Sequence, residues 1–181
     1  SYYKQMAQVQ LDGAKWAKNN PTNKEELIIE NAGDVINSPS TEGGAFPMGR
    51  EKIIYASLKT SEIIVLEDGD TDYEHAKIYQ ATSDGNGAWK DSQEFNAETL
   101  QKEGFHIVQP MINRDRTKFY FVRAELMGNQ LDNSRIYVAD YNDGAVTNPK
   151  MLDFNSNSYS CKSPAIATWD GKDYLLFVSN M

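Results

Sequence analysis

This sequence of 181 residues contains one cysteine, two histidines and no long apolar run. Because Cys161 has no second cysteine to pair with, an internal disulfide and a four-cysteine zinc site are both excluded. No apolar stretch approaches the roughly 20 residues of a membrane span. The opening "SYYK" does not begin a signal peptide. We therefore expect no direct membrane insertion. A signal peptide that was cleaved off, or that lies upstream of these residues, is compatible with this sequence.

Basic residues are also scarce, with 18 Lys and Arg against 26 Asp and Glu and a net charge of −8. A protein that binds nucleic acid needs a basic face for the phosphates, so we expect no nucleic-acid partner. Aromatic residues are plentiful instead, with ten Tyr, seven Phe and three Trp. That composition favours many short, half-buried strands over a few long helices.

Sequence signals of catalysis are missing as well. No Gly-x-Ser-x-Gly nucleophile elbow occurs. His75 and His106 lie far apart along the chain, whereas metal catalysis needs two or more such ligands at close spacing. Cys161 is interpreted as a small structural residue beside Lys162-Ser163-Pro164 rather than as a nucleophile. The sequence therefore predicts no catalytic residue, no cofactor and no enzyme activity.

What the chain does contain is a repeat. "AKIYQATSDGNGAW" (76–89) returns as "SRIYVADYNDGAV" (134–146), and both copies pass from Ile-Tyr to an Asp-Gly turn. The Asp-Gly turns, Asp84-Gly85 and Asp143-Gly144, are one residue farther apart than the two Ile-Tyr pairs, so the second copy has one extra residue. A Phe-Asn pair follows each turn at the same distance, Phe95-Asn96 and Phe154-Asn155. Repeats at a fixed period predict a modular architecture more strongly than any single motif does.

A second set of matching segments lies between these copies, at 46–57, 109–123 and 163–179. Each has a proline, a short segment, a polar turn and then an apolar run, which is typical of a strand buried on both faces. Two of the turns, at 114–117 and 169–172, predict tight hairpins.

Together the two sets define a unit of four strands: one after the proline, the apolar run, the Ile-Tyr strand, and one ending at Phe-Asn. Full units are predicted over 46–104 and 105–160, and the first half of another over 161–181. Residues 1–45 are predicted to hold a partial unit and a linker, because Asp12-Gly13 and Trp16 resemble Asp84-Gly85 and Trp89. The only helix signal that we accept is one or two turns within 96–104.

Four-stranded antiparallel units of this kind are the blades of a β-propeller. The predicted fold is therefore all-β, with about three propeller blades in one domain over residues 1–181. Propellers close with four to eight blades, so either the chain is part of a larger propeller or two copies combine. We favour the first.

The repeat resembles a known family. "SPAIATWDGKDYLLFVSNM" (163–181) is similar to TolB-type propeller repeats, with a proline, an Asp-Gly-Lys turn and an aromatic strand. In particular it is similar to repeats in OmpA-like envelope proteins of the Bacteroidetes, some associated with type IX secretion. "KIYQATSDGNGAW" (77–89) matches the next part of the repeat. The resemblance covers most of 46–181 and, faintly, 1–45. The Asp-Gly-Lys turn is absent at 48–51 and at 114–116.

The resemblance implies a periplasmic or outer-membrane-associated module that recognises or scaffolds other envelope proteins, including the rest of its own parent chain. In such proteins a separate OmpA-type domain binds peptidoglycan, and these residues contain no such domain. The function predicted is thus non-catalytic protein binding. The alternative is an accessory propeller of a carbohydrate-active enzyme or peptidase whose catalytic residues lie outside this chain.

Three features remain as candidate ligand sites. The acidic residues Asp68, Asp70, Asp72 and Glu74 resemble the start of a calcium loop. Tyr73 stands where an EF-hand needs glycine, so a solvated acidic insertion is the simpler interpretation, and a looser calcium site stays open.

The other two candidates concern sugars. A glycosidase needs two facing carboxylates, and the predicted innermost strands (47–49, 110–113 and 164–167) contain no Asp or Glu. Trp16, Trp89 and Trp169 would serve as a stacking surface for glycans or peptides, or simply cover blade edges. We expect the second role.

Overall fold

A computed structural model describes residues 2–21, 29–59, 75–127 and 130–181. The chain divides into two compact units, Ser1–Asn31 and Ala32–Met181. Most of the described structure is β: two four-stranded antiparallel sheets and one hairpin, preceded by a helix. The sequence predicted an all-β chain, and the structure confirms a mostly β fold with four-stranded antiparallel sheets. No described helix is long and apolar enough to cross a membrane.

The first unit contains helix α1 (Tyr2–Asn19). We predicted strands of a partial blade here, and for these residues the prediction was wrong. The segment is rich in Ala, Gln and Lys, which favour helices, and its apolar residues Met6, Val9 and Trp16 follow a helical spacing. Asp12 is not a turn residue but accepts a hydrogen bond from Gln8, one helical turn earlier (2.8 Å).

The second unit contains the sheets. The strands of sheet 1 are β1 (Glu42–Pro47), β2 (Lys52–Ser57), β3 (Lys77–Ser83) and β4 (Trp89–Glu94). A short helix α2 (Ala97–Leu100) follows, as predicted for 96–104. The strands of sheet 2 are β5 (Phe105–Ile112), β6 (Lys118–Met127), β7 (Gln130–Asn142) and β8 (Ala145–Met151). The hairpin consists of β9 (Cys161–Trp169) and β10 (Lys172–Ser179).

Within each sheet the strands follow one another in chain order, so every connection is a hairpin. Among the described turns two are two residues long, Asp143-Gly144 and Asp170-Gly171. Both residues of each turn have a positive φ (44° and 93°; 50° and 69°), which is the backbone of a type I′ turn. Sequence and structure therefore agree on where the strands reverse.

Each first strand carries the same β-bulge. In the β1–β2 pair two residues, Gly44 and Ala45, lie opposite Tyr55. In the other pairs Gln109-Pro110 lies opposite Phe121, and Ser163-Pro164 opposite Phe177. The first residue of each bulge has a positive φ (60°, 53° and 55°). We predicted that the first strands begin after the prolines. This was wrong, because β1 ends at Pro47, whereas β5 and β9 run through Pro110 and Pro164, which lie within the bulges.

In the described part of this unit the apolar side chains form three layers. The largest lies between the sheets and contains Ile54 and Ile78 of sheet 1 with Phe119 and Phe121 of sheet 2. The second lies between sheet 2 and the hairpin, where Val122 and Ile136 pack with Cys161. In the third, Ile36 and residues beside it cover the other face of sheet 1. The repeated units therefore stack face to face.

The second strands show how this stacking buries both faces of a strand. Tyr55 and Ile54 of β2 are both buried, as the apolar run predicted. In β6, Phe121 is fully buried whereas Tyr120, on the opposite face, is half-buried. Burial raises the pKa of the Tyr120 phenol, consistent with a face that is only partly covered.

Candidate interaction site

The two histidines, far apart in sequence, meet between the sheets. Their ring centroids are 5.3 Å apart. The backbone N–H of Ala76 donates to Nδ1 of His106 (2.9 Å), so neutral His106 carries its proton on Nε2. Burial, and then the nearby His75, lower the pKa of His106 below its usual value of 6.5. This arrangement leaves no free ring nitrogen lone pair on His106 for a metal ion.

No group of three or more His, Cys, Asp or Glu side chains in the described ranges is placed to hold a metal ion. The acidic insertion, with Asp68, Asp70, Asp72 and Glu74, lies outside the described residues. The calcium interpretation therefore stays a question for experiment.

One carboxylate was missed on the first strands. Glu42 begins β1, whereas the sequence placed no Asp or Glu on the innermost strands. Its Oε1 accepts hydrogen bonds from the hydroxyls of Ser38 (2.5 Å) and Ser57 (3.0 Å). These contacts tie residue 38 to the end of β2, which gives Glu42 a structural role.

The sequence favoured structural roles for Cys161 and the three tryptophans, and Cys161 and Trp89 have such roles. Cys161 is fully buried, and its thiol lies 3.6 Å from the Ser179 hydroxyl. Trp89 packs against the aromatic cluster of sheet 1. Trp169, at the hairpin turn, is 73% exposed, and Trp16 of α1 is also exposed.

A lysine cage on sheet 1 had no sequence signal. The ammonium group of Lys59 donates to the Val35 carbonyl and to the Tyr55 hydroxyl (2.8 Å), and the Tyr55 hydroxyl lies 2.7 Å from Ser92 Oγ. The same ammonium lies 5.2 Å from the Tyr55 ring centroid. These bonds attach residue 35 to the face of sheet 1.

A small basic cleft of about 170 Å³ lies where the β1–β2 and β5–β6 turns meet. Arg116, in a left-handed backbone conformation (φ 55°), donates from Nη2 to the Met48 carbonyl (2.8 Å). Arg114 lines the cleft beside the apolar side chain of Ile112. The cleft suits a small anionic group, but one of its two guanidinium groups is already bonded to the backbone.

Among the described residues of the second unit, a group of exposed apolar side chains lies on one face of the hairpin. Tyr174, Leu176 and Val178 alternate along β10 on one face and are 49%, 56% and 55% exposed. On the opposite face the Phe177 ring stacks on Phe154 (4.4 Å between centroids). Apolar side chains grouped on one exposed sheet face offer a surface that another protein can cover. We call these three residues the β10 stripe.

The edge of β10 is open too. In sheets 1 and 2 the second strand pairs on both sides, β2 with β1 and β3, and β6 with β5 and β7. Among the described residues β10 pairs only with β9, so its other edge presents free backbone N–H and C=O groups. Residues 174–178 thus combine exposed apolar side chains with an unpaired strand edge.

Comparisons with known proteins leave this surface to be interpreted from the residues alone. No protein-family model, no curated protein and no solved structure matches the chain.

Proposed function

We propose that this chain is a non-catalytic module that binds or scaffolds other proteins, built from blades of the β-propeller type. The observation that carries the proposal is the β10 stripe beside an open strand edge. Covering such a surface is favourable by about 25 cal/mol per Å² of apolar area removed from water. Covering by another polypeptide would also pair the free edge groups.

The propeller architecture is supported by how the first strands lie. β1 packs beside β5, and β5 beside β9. The bulges align, since Ser163 N donates to Oε1 of Gln109 (2.7 Å) and Gln109 Nε2 donates to Ser163 Oγ (3.2 Å). Neighbouring first strands with aligned bulges are what a radial arrangement around a common axis produces.

The resemblance to TolB-type repeats supports a place in the cell envelope, in the periplasm or at the outer membrane. The partners would then be envelope proteins, among them the rest of the parent chain. The acidic net charge opposes nucleic acid as a partner.

Sedimentation velocity on the full chain tests the proposal. We expect concentration-dependent association of the wild-type protein, because the β10 stripe is uncovered. The double variant Leu176→Lys, Val178→Lys should be monomeric, with its fold retained by circular dichroism, since both side chains point away from the core.

Met151→Lys is the matched control, because Met151 is an exposed apolar residue (41%) on another strand. This variant should associate like the wild type. A wild-type protein that stays monomeric over the whole concentration range would contradict the proposal.

A further inference from the structure

Phe177 occupies the same place in the hairpin as Tyr55 and Phe121 occupy in the two completed sheets. All three lie on the second strand of their unit, opposite the two bulged residues of the first strand. All three also turn toward the layer on the N-terminal side of their sheet. The hairpin is therefore the first half of the same structural unit, residue for residue.

The completed sheets show what lies across from this position. Tyr55 is paired with Tyr79, and Phe121 with Tyr137. The ring centroids are 6.1 Å apart in the first pair and 5.4 Å in the second. A cross-strand aromatic pair thus recurs at this register, and such pairs stabilise a sheet.

The positions beside the aromatic pair repeat as well. The residue after the aromatic one on the second strand faces isoleucine, as Ala56 faces Ile78 and Val122 faces Ile136. Both third strands have a basic residue before the isoleucine and alanine two positions after the tyrosine, which gives (Lys/Arg)-Ile-Tyr-x-Ala. The register of a third strand on this unit is therefore specified by side chains.

We propose that the free edge of β10 binds an antiparallel strand of sequence (Lys/Arg)-Ile-Tyr-x-Ala, with its tyrosine opposite Phe177 and its isoleucine opposite Val178. The inference rests on the proposed function and names the partner's chemistry. A second copy of this chain is not the donor, because β3 and β7 are each paired on both edges and are not free to leave their sheets.

Two gains favour this occupant over an unrelated apolar surface. A strand pairs the free N–H and C=O groups of β10, which a helix or a flat apolar patch leaves unpaired. Its tyrosine also adds a second aromatic ring beside Phe177, on the face where Phe154 already stacks. A strand slipped by one residue would put its isoleucine there and lose the aromatic pair.

The test uses the full chain and a fluorescent peptide with the sequence of residues 77–96, which carries an Ile-Tyr strand and the strand that follows it. Fluorescence anisotropy measures affinity, and amide hydrogen exchange shows where the peptide binds. The matched control is the same peptide with Ile78→Tyr and Tyr79→Ile, which keeps the composition but moves each side chain to the other face.

We expect the native peptide to bind, to slow exchange at β10 amides, and to bind at least roughly tenfold more tightly than the swapped peptide. Equal affinities for the two peptides, or protection at β4 or β8 instead of β10, would overturn the inference. If neither peptide binds while Leu176→Lys, Val178→Lys still abolishes association in sedimentation, the strand inference fails and the proposed function stands. If the wild type does not associate either, both fail.

Discussion

Gly44 lies so close to Gln109 that a β-carbon on Gly44 would stand 2.9 Å from the Gln109 Cα. Gly44 also has a left-handed backbone, with φ of 60°. The approach of β1 to the bulge of β5 therefore requires glycine here. The left-handed backbone also favours glycine, although Gln109 and Ser163 adopt it at the equivalent bulge positions. At these bulges the main chains of the two neighbouring sheets are in contact.

Gly44→Ala is expected to destabilise the protein. The left-handed conformation alone costs an L-residue about 1–2 kcal/mol, and the contact with Gln109 forces the strands apart in addition. Gly43→Ala is the matched control, since a β-carbon there meets nothing within 4 Å and no left-handed φ is involved. Urea melts of the two variants check this. Equal loss of stability in both would show that close packing at Gly44 does not matter.

Phe121→Ala is expected to lower the free energy of unfolding by about 3–5 kcal/mol, through lost burial and a cavity. Phe121 is fully buried and packs on Phe119 and on Tyr137, with centroids 5.9 Å and 5.4 Å away. Tyr174→Ala, in the exposed β10 stripe, should change stability little. Denaturant unfolding monitored by fluorescence measures both. Similar losses would mean that the layer between the sheets is not the main core.

The strands and turns were predictable because their signals are local. Asp-Gly turns and apolar runs fix where hairpins reverse, and both sets matched the structure at Asp143-Gly144 and Asp170-Gly171. The same signal misled at Asp12-Gly13. There, helix formers and an apolar spacing of three to four residues outweigh one glycine, whose cost in a helix is about 1 kcal/mol.

The Phe-Asn repeat correctly marked a residue with the same packing role in both copies, but the two copies differ in strand register. By sequence spacing Phe95-Asn96 corresponds to Phe154-Asn155, yet the pairing matches Phe95 with Leu152, since both donate their N–H to the isoleucine of the Ile-Tyr strand. Even so, each phenylalanine packs on the sheet that follows it in the chain. Phe95 packs on Phe119 of sheet 2, and Phe154 packs on Phe177 of the hairpin. Sequence spacing thus identified the phenylalanine that packs on the following sheet. It did not determine the register, because register depends on which backbone groups of the two strands pair.

Features between sheets were out of reach of the sequence. The His75–His106 contact, the Lys59 cage and the approach of Gly44 to Gln109 join residues that are brought together only when sheets and loops pack. No local pattern marks such a contact, because periodicity says which face is buried and not what covers it.

The acidic insertion is a separate test, drawn from the sequence. Four carboxylates at Asp68, Asp70, Asp72 and Glu74 repel one another, so any divalent cation should raise the melting temperature slightly, and less at high salt. We expect calcium and magnesium to act alike, and Asp70→Asn, Asp72→Asn to leave the fold intact. A calcium-specific rise at low concentration, lost in that double variant, would instead establish a calcium site, because ligand binding to the folded state stabilises it by mass action.

The contact between His75 and His106 predicts a pH dependence of stability. Burial and the neighbouring imidazole lower the pKa of His106 in the folded state below its usual value of 6.5. The unfolded state then binds the proton more readily, so the stabilisation is complete above about pH 6.5 and is lost as the pH falls from there toward the lowered pKa. Protonation also removes the acceptor for the Ala76 N–H, which donates to Nδ1 of His106 at 2.9 Å.

Unfolding free energies measured from about pH 7.5 to about pH 5 should therefore fall for the wild type and fall less for His106→Gln. His75→Gln should lie between them, because it removes the like charge and leaves His106 buried. The comparison with His106→Gln separates this effect from the titration of carboxylates, which both proteins share. If the His106→Gln protein loses stability as steeply as the wild type over this range, the histidine pair does not control the acid sensitivity of the junction between the two sheets.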